Sequence, residues 1–228
     1  MPPQGWPKIT RVRTRIGIVN YGMGNLRSVE KALERVGAEP LISAEPSQLD
    51  RASGLLLPGV GAFPRAMGRI REQGLDTYLR DRARAETPIL GVCLGMQLLF
   101  ESSDEHGGGT GLGLLPGPVS RLQAPGLKLP HIGWSPVRIE GEAPLLNGLA
   151  DGEPFYFVHS YAPQPEPAEL LASADYGERF AAVVGRHPVY GAQFHPEKSS
   201  SAGLRLLAGF ASISAPVAIG SGARGRDV

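Results

Sequence analysis

The chain has 228 residues, 23 basic and 22 acidic side chains for a formal net charge of +1, and 42% hydrophobic residues. That length and apolar content suit one well-packed domain, and a charge so near balance gives no electrostatic reason to bind nucleic acid or a membrane surface. The longest apolar runs, such as 54–58 and 155–158, fall far short of the roughly 20 residues that cross a bilayer.

The opening Met1-Pro2-Pro3-Gln4-Gly5 lacks the apolar core of a secretion signal. The single cysteine excludes an intramolecular disulfide, which suits a reducing compartment and leaves one thiol free for chemistry. The expectation is a cytoplasmic protein in three parts: a flexible extension over 1–14, a folded domain over 15–211 and a disordered tail over 212–228, where Gly, Ala, Ser and Arg leave little periodicity to pack.

Arg15 to Asn20 is a short β-branched run ending at the Gly-rich turn Tyr21-Gly22-Met23-Gly24-Asn25, and reads as a buried first strand. Leu26, Val29, Ala32, Leu33 and Val36 then recur at helical spacing, with Gly37 as the stop. Strands are expected at 40–43, 54–57 and 88–92, with a helical stretch from Arg65 to Arg84 broken near Gly74. This alternation predicts an α/β fold with a mainly parallel central sheet and helices on both faces, its chemistry at the carboxyl ends of the strands. After Glu101 the Pro-punctuated segments fit an antiparallel extension, with 155–158 and 189–194 the clearest strands, before a closing helix over 199–210.

Gly91-Val92-Cys93-Leu94-Gly95 follows a buried strand and precedes the helical run 96–100, the pattern of a nucleophile elbow with cysteine in the serine position. The glycines leave room for so sharp a turn. Backbone N–H groups at the start of the following helix stabilise a thiolate and can donate to an oxyanion. A lone cysteine is more commonly a small buried hydrophobe, so the elbow needs support from elsewhere in the chain. That support is Gln193-Phe194-His195-Pro196-Glu197, where a strand ends in a histidine with a carboxylate two residues on. If Pro196 holds the turn, Glu197 folds back onto one imidazole nitrogen while the other faces the thiol. Leu57-Pro58-Gly59-Val60-Gly61 closes another strand with the side-chain-poor N–H groups an oxyanion hole needs. Its other reading, a phosphate loop, lacks the Lys-Ser/Thr pair or the G-x-G-x-x-G pattern.

Together these three motifs resemble the class I (triad) glutamine amidotransferases, in order and separation as well as in residues. Within that family, 21–26, Pro130-His131-Ile132-Gly133-Trp134, Phe157-Val158-His159-Ser160-Tyr161 and His195-Pro196-Glu197-Lys198-Ser199 resemble the glutaminase subunits of imidazole glycerol phosphate synthases, over about residues 15 to 211. The resemblance implies that Cys93 attacks L-glutamine, His195 moves the proton and Glu197 orients His195. Gly59, Val60, Gly61 and Leu94 would then form the oxyanion hole, and Gln97, Glu101, His159, Ser160 and Tyr161 the pocket for the substrate's α-amino and α-carboxylate groups. Asn25, Ser28, Trp134, Tyr156 and Lys198 would face a (β/α)8-barrel cyclase subunit in a heterodimer. No cofactor or metal is expected.

Two departures from the family's usual wording stand near the expected interface, Asn20 where aspartate is common and Ser135 where asparagine is common. Three other readings stay open: a glutaminase subunit of another amidotransferase complex, a non-catalytic subunit that keeps the fold, and a thiol hydrolase acting on esters. Trp134 and the Gly22–Asn25 turn oppose the first, the intact triad opposes the second, and the third lacks any acyl-chain pocket or lid sequence.

Overall fold

The computed structural model describes residues 14–216. The first half runs β1 (Arg15–Val19), α1 (Leu26–Arg35), β2 (Glu39–Ser43), α2 (Pro46–Leu49), β3 (Gly54–Leu57), α3 (Phe63–Glu72), α4 (Leu75–Arg84), β4 (Ile89–Val92) and α5 (Leu94–Leu98). The second half adds β5 (Ser102–Ser103), β6 (Gly109–Thr110), β7 (Pro118–Arg121), β8 (His131–Ile139), β9 (Glu153–His159), β10 (Tyr161–Pro163), β11 (Leu170–Tyr176), β12 (Glu178–Arg186), β13 (Val189–Ala192) and α6 (Ser200–Ile213).

A nine-stranded sheet, in the order β2-β1-β3-β4-β13-β12-β11-β8-β9, forms the spine, and β10-β7-β5-β6 makes a smaller sheet beside it. The pairs β1–β2, β1–β3, β3–β4 and β4–β13 are parallel, and the strands beyond β13 are antiparallel. Both faces of the parallel part are covered, because alternate residues serve different cores: Leu56 and Leu90 join one with α1 and α6, while Leu55, Leu57 and Ile89 join another with α3 and α4. A strand buried on both sides must be apolar at every position, hence the unbroken Gly-Leu-Leu-Leu of β3. Each fully buried leucine contributes about 1.5–3 kcal/mol of transfer free energy.

The expected break near Gly74 falls between α3 and α4, with Gly74 at φ 68° in the left-handed region that glycine tolerates. The short α2, opened by Pro46 at its first turn, escapes periodicity because four residues do not complete a pattern. A larger correction concerns β13. The sequence groups 189–194 with the antiparallel segments, yet β13 lies parallel to β4 and antiparallel only to β12. A tight β12–β13 hairpin inserts it beside the core, where all four residues are buried and a side chain on Gly191 would press within 2.6 Å of Met96. Its strand also ends at Ala192, freeing 193–195 for the site.

α6 continues through Ser212 and Ile213, two residues expected in the tail, because Ile213 still packs on the core. The remaining expectations for the extension (1–13) and the tail (217–228) fall outside the described residues. Among the described residues no helix is long and apolar enough to cross a membrane.

Register positions the chemistry. Leu57 pairs with Gly91 and Val92 with Ala192, so β3, β4 and β13 release Pro58, Cys93 and Gln193 side by side at one edge.

Candidate active site

Cys93 sits between β4 and α5 at φ 54°, ψ −113°, a sparsely populated conformation that costs of order 1–3 kcal/mol and persists only where surroundings enforce it. The enforcement is close packing. A side chain on Gly95 would lie 1.8 Å from the Leu57 carbonyl, and one on Gly91 would lie 2.6 Å from the Gly95 carbonyl. The Cys93 N–H donates to Ala192 at 2.8 Å, anchoring the elbow to β13. Only 6% of the residue is exposed, and its Sγ lies 3.7 Å from the Val158 carbonyl and 3.9 Å from Gln193 Nε2.

His195 leaves β13 three residues past its end, and Pro196 opens a single 3₁₀ turn over Pro196–Lys198 that brings Glu197 back to it. His195 Nδ1 donates to Glu197 Oε1 at 2.9 Å, and both side chains are almost fully buried. The second ring nitrogen is thereby left free for Cys93, which lines the same cavity. Burial opposes a charged imidazole here, but the hydrogen bonds and negative charges of Cys93 and Glu197 outweigh it and push His195 up to about 10. The loop is clamped from behind: the His195 N–H donates to the Tyr156 carbonyl, and Ser199 Oγ donates to the His195 carbonyl at 2.7 Å while accepting the Tyr156 N–H.

These groups open into a cavity of about 440 Å³. Of the residues expected at the site, Val60, Gly61, Leu94, Gln97, His159, Ser160, Tyr161 and Lys198 line it with Cys93 and His195. Gly61 has φ 104°, which only glycine adopts without strain, whereas Val60 is 45% exposed. Gly59 stands behind the cavity wall, where a side chain would strike the Tyr21 hydroxyl at 2.5 Å. That hydroxyl donates to the Pro58 carbonyl at 2.8 Å, and burial, then the charge of Cys93, push its titration upward, so it stays a donor.

Glu101 is not brought into the cavity; it is exposed and accepts the Gly117 N–H at 3.1 Å. The carboxylate that lines the cavity is Glu105, which accepts the Phe63 N–H at 2.6 Å, with His106 and Arg121 beside it. Sequence reasoning missed all three. The only signal for Glu105 and His106 was an acidic run, 101–105, entering a Gly-rich loop, where nothing local says which carboxylate turns inward, and Arg121 had none. His159 is buried, donates from Nδ1 to the Tyr161 carbonyl at 2.9 Å, and is neutral. Desolvation lowers it to about 3, against the Tyr161 hydrogen bond and with help from His131 and His195.

Trp134, 52% exposed, meets the Tyr156 ring edge-on at 5.9 Å, and Lys198 Nζ lies 5.9 Å from the same ring, so these three form one surface cluster at the cavity rim. Asn25 and Ser28 lie elsewhere, at the start of α1, where Asn25 Oδ1 accepts the Ser28 N–H at 3.4 Å. Of the two departures, Asn20 accepts the Gly22 N–H within the first turn. Ser135 is not on the surface beside Trp134: it is buried and bonded to His131 Nε2 at 3.1 Å, because neighbouring residues of β8 face opposite sides.

A thiol on a strained elbow, a histidine oriented by a buried carboxylate and backbone N–H groups across a cavity are the parts of a cysteine amide hydrolase. The family model for class-I glutamine amidotransferases matches residues 18–211. A protein of Desulfitobacterium hafniense (strain DSM 10664 / DCB-2) named imidazole glycerol phosphate synthase subunit HisH is 52% identical over 196 residues, covering 86% of this chain and 92% of that one. The same-named protein of Bacillus licheniformis is 51% identical over 201 residues, covering 86% and 94%. In fold, the chain is similar to a crystal structure of a glutamine amidotransferase, with a TM-score of 0.69 at 21% identity over 87% of this chain and 98% of the other. It is equally similar to a chain in the structure of PurLQS from Thermotoga maritima, also at TM-score 0.69, with 22% identity over 87% and 97%. The chain belongs to the class-I glutamine amidotransferase family. It is a glutamine amidotransferase enzyme.

Proposed function

We infer that the chain is the glutaminase subunit of an imidazole glycerol phosphate synthase, acting in histidine biosynthesis. It hydrolyses L-glutamine to glutamate and ammonia and passes the ammonia to a cyclase subunit, which uses it to make imidazole glycerol phosphate and the purine precursor AICAR. The observation that carries this reading is the identity of about half the residues, over nearly the full length, to proteins named for that subunit. A triad and an exposed aromatic cluster meeting at one cavity agree with it.

The Cys93 thiolate attacks the side-chain carbonyl carbon of glutamine, forming the C–S bond and moving the carbonyl electrons onto oxygen. Backbone N–H groups of Leu94 and the Val60–Gly61 segment stabilise that oxyanion. His195, held protonated by Glu197 and the thiolate, gives its proton to the nitrogen as the C–N bond breaks, and ammonia leaves. Water then attacks the γ-glutamyl thioester, His195 takes its proton, and the C–S bond breaks to release glutamate. Glu105 and Arg121 supply the opposite charges that a zwitterionic head group requires, and Gln97, Ser160 and Tyr161 complete that end of the cavity. The cyclase, a (β/α)8 barrel in a heterodimer, docks over Trp134, Tyr156 and Lys198.

Co-expression with a candidate cyclase, followed by co-purification and assay of glutamate release and imidazole glycerol phosphate formation, tests the reading. A chain that hydrolyses glutamine but neither binds the cyclase nor supports its glutamine-dependent turnover serves another synthase.

A further inference from the structure

The triad leaves one buried polar side chain beside the sulfur without a role. Gln193 is fully buried, and a polar group with no access to water must be paired inside the protein. Its partners fix its orientation by elimination. Gln97 Nε2 lies 2.9 Å from the Tyr161 carbonyl, which only accepts, so this end of Gln97 is its NH₂. The same NH₂ group lies 3.1 Å from the side chain of Gln193, so the Gln193 atom facing it is the oxygen. The Gln193 NH₂ is then turned toward Cys93, at 3.9 Å from Sγ.

We propose that Gln193 is a donor to the Cys93 thiolate and that Gln97 is the positioning residue that keeps it in the donating orientation. The inference rests on Cys93 being the nucleophile. As a thiol, Cys93 donates to the Val158 carbonyl. Once ionised it is repelled by that oxygen, and the groups that suit an anion are the His195 imidazole and the Gln193 NH₂. The sulfur carries negative charge twice in each cycle, before it attacks the amide and again as it leaves the thioester, and a fixed donor lowers the energy of both. Register explains the placement: because Val92 and Ala192 are partners in adjacent parallel strands, the residue after each emerges beside the other.

Cys93 is the chain's only cysteine, so alkylation by iodoacetamide reads this one sulfur. Its rate is measured against pH on the full chain, with kcat and KM for glutamine in the cyclase complex. In Gln193→Met, of similar size but without a donor, the alkylation profile is expected to move up by about one pH unit, and kcat to fall roughly tenfold or more with KM little changed. Gln97→Met removes the NH₂ that holds the Gln193 oxygen without adding charge, so it should shift the alkylation profile the same way, by a smaller amount, with Gln193 intact. If Gln193→Met does not fold, Gln97→Met decides. Alkylation profiles that superimpose on wild type in the folded variants overturn the proposal. Glutaminase activity surviving in Cys93→Ala overturns instead the assignment of the nucleophile.

Discussion

The Tyr156 carbonyl accepts the backbone N–H of His195 at 3.0 Å, so β9, whose Tyr156 packs against the exposed Trp134 of the neighbouring β8, also holds the triad histidine. Ser199 closes the clamp by bridging the Tyr156 N–H and the His195 carbonyl. A displacement of β9 by anything docking on Trp134 and Tyr156 is therefore one hydrogen bond from the imidazole.

Within the triad, the geometry ranks the defects. Cys93→Ala is expected to abolish glutamine hydrolysis while the complex still uses free ammonium salts, since only the ammonia source is lost. Glu197→Gln keeps an oxygen 2.9 Å from His195 Nδ1 but loses the charge that stabilises imidazolium, so its turnover should exceed that of His195→Ala. Glutamate release and ammonium-dependent synthesis, measured side by side, check both. Glutamine-dependent turnover near wild type in Cys93→Ala would remove the thiol from the mechanism.

His195 also sets a pH signature. Its folded value of about 10 lies above the ordinary 6.5, so its protonation contributes stability that is present in full below about pH 6.5 and is lost as pH rises through about 10. Two of the influences that raise it come from Cys93, the hydrogen bond and the charge. In Cys93→Ala the imidazole should titrate at lower pH, and the stability advantage of wild type should be fullest below about pH 6.5 and shrink as pH rises toward about 10. NMR titration of labelled histidine gives the midpoints, and identical midpoints in the two proteins contradict the coupling.

The cavity separates two carboxylates four residues apart. Glu105 lines the cavity, whereas Glu101 is spent on Gly117 outside it. Glu105→Gln retains an acceptor for the Phe63 N–H but loses the charge facing the substrate ammonium, and its KM for glutamine should rise about ten- to a hundredfold. Glu101→Gln should leave KM within about twofold. The reverse order, in steady-state kinetics on the folded variants, would return Glu101 to the pocket.

What the sequence made legible was local. Gly91 to Gly95 and His195-Pro196-Glu197 each carry their geometry in a few consecutive residues, because steric demands at an elbow and a proline turn are written where they act. The strands β3 and β4, apolar at every position between turn signals, and β1, apolar after Arg15, were equally plain. Contacts between distant segments were not. Glu105 reaches the cavity on a loop whose course no periodicity records, and the orientation of β13 depends on pairing with β4 about a hundred residues earlier in the chain. Ser135 and His131 bond across one strand because both face inward, yet the sequence sets Ser135 beside the exposed Trp134. Parity along β8 settles the matter only once the inward face is known.

The Pro58–Gly61 segment that offers the oxyanion donors is held on one side by the Tyr21 hydroxyl and packs near Met23 of the first turn, while Val60 remains 45% exposed. Gly61 at φ 104° and Gly59 two residues before it let the intervening peptides reorient at little steric cost, so donating and non-donating arrangements are both sterically open. On the proposed docking, a cyclase pressing on the first turn and on the Trp134–Tyr156–Lys198 cluster would bias that equilibrium and, through Tyr156, the seat of His195. Raising the productive arrangement from about 1% to near-complete occupancy increases the rate roughly a hundredfold. The isolated chain should accordingly be a slow glutaminase, accelerated by cyclase and further by cyclase with its nucleotide substrate. Trp134→Ala should leave the slow basal rate within about twofold and reduce the acceleration at saturating cyclase, since the indole touches the Tyr156 ring but does not line the cavity. Glutamate release is measured for both chains alone, with cyclase, and with cyclase plus nucleotide. An isolated wild-type chain already at full rate, indifferent to both additions, would sink the gating argument, and a Trp134→Ala chain accelerated as much as wild type would move the point of pressure away from β8.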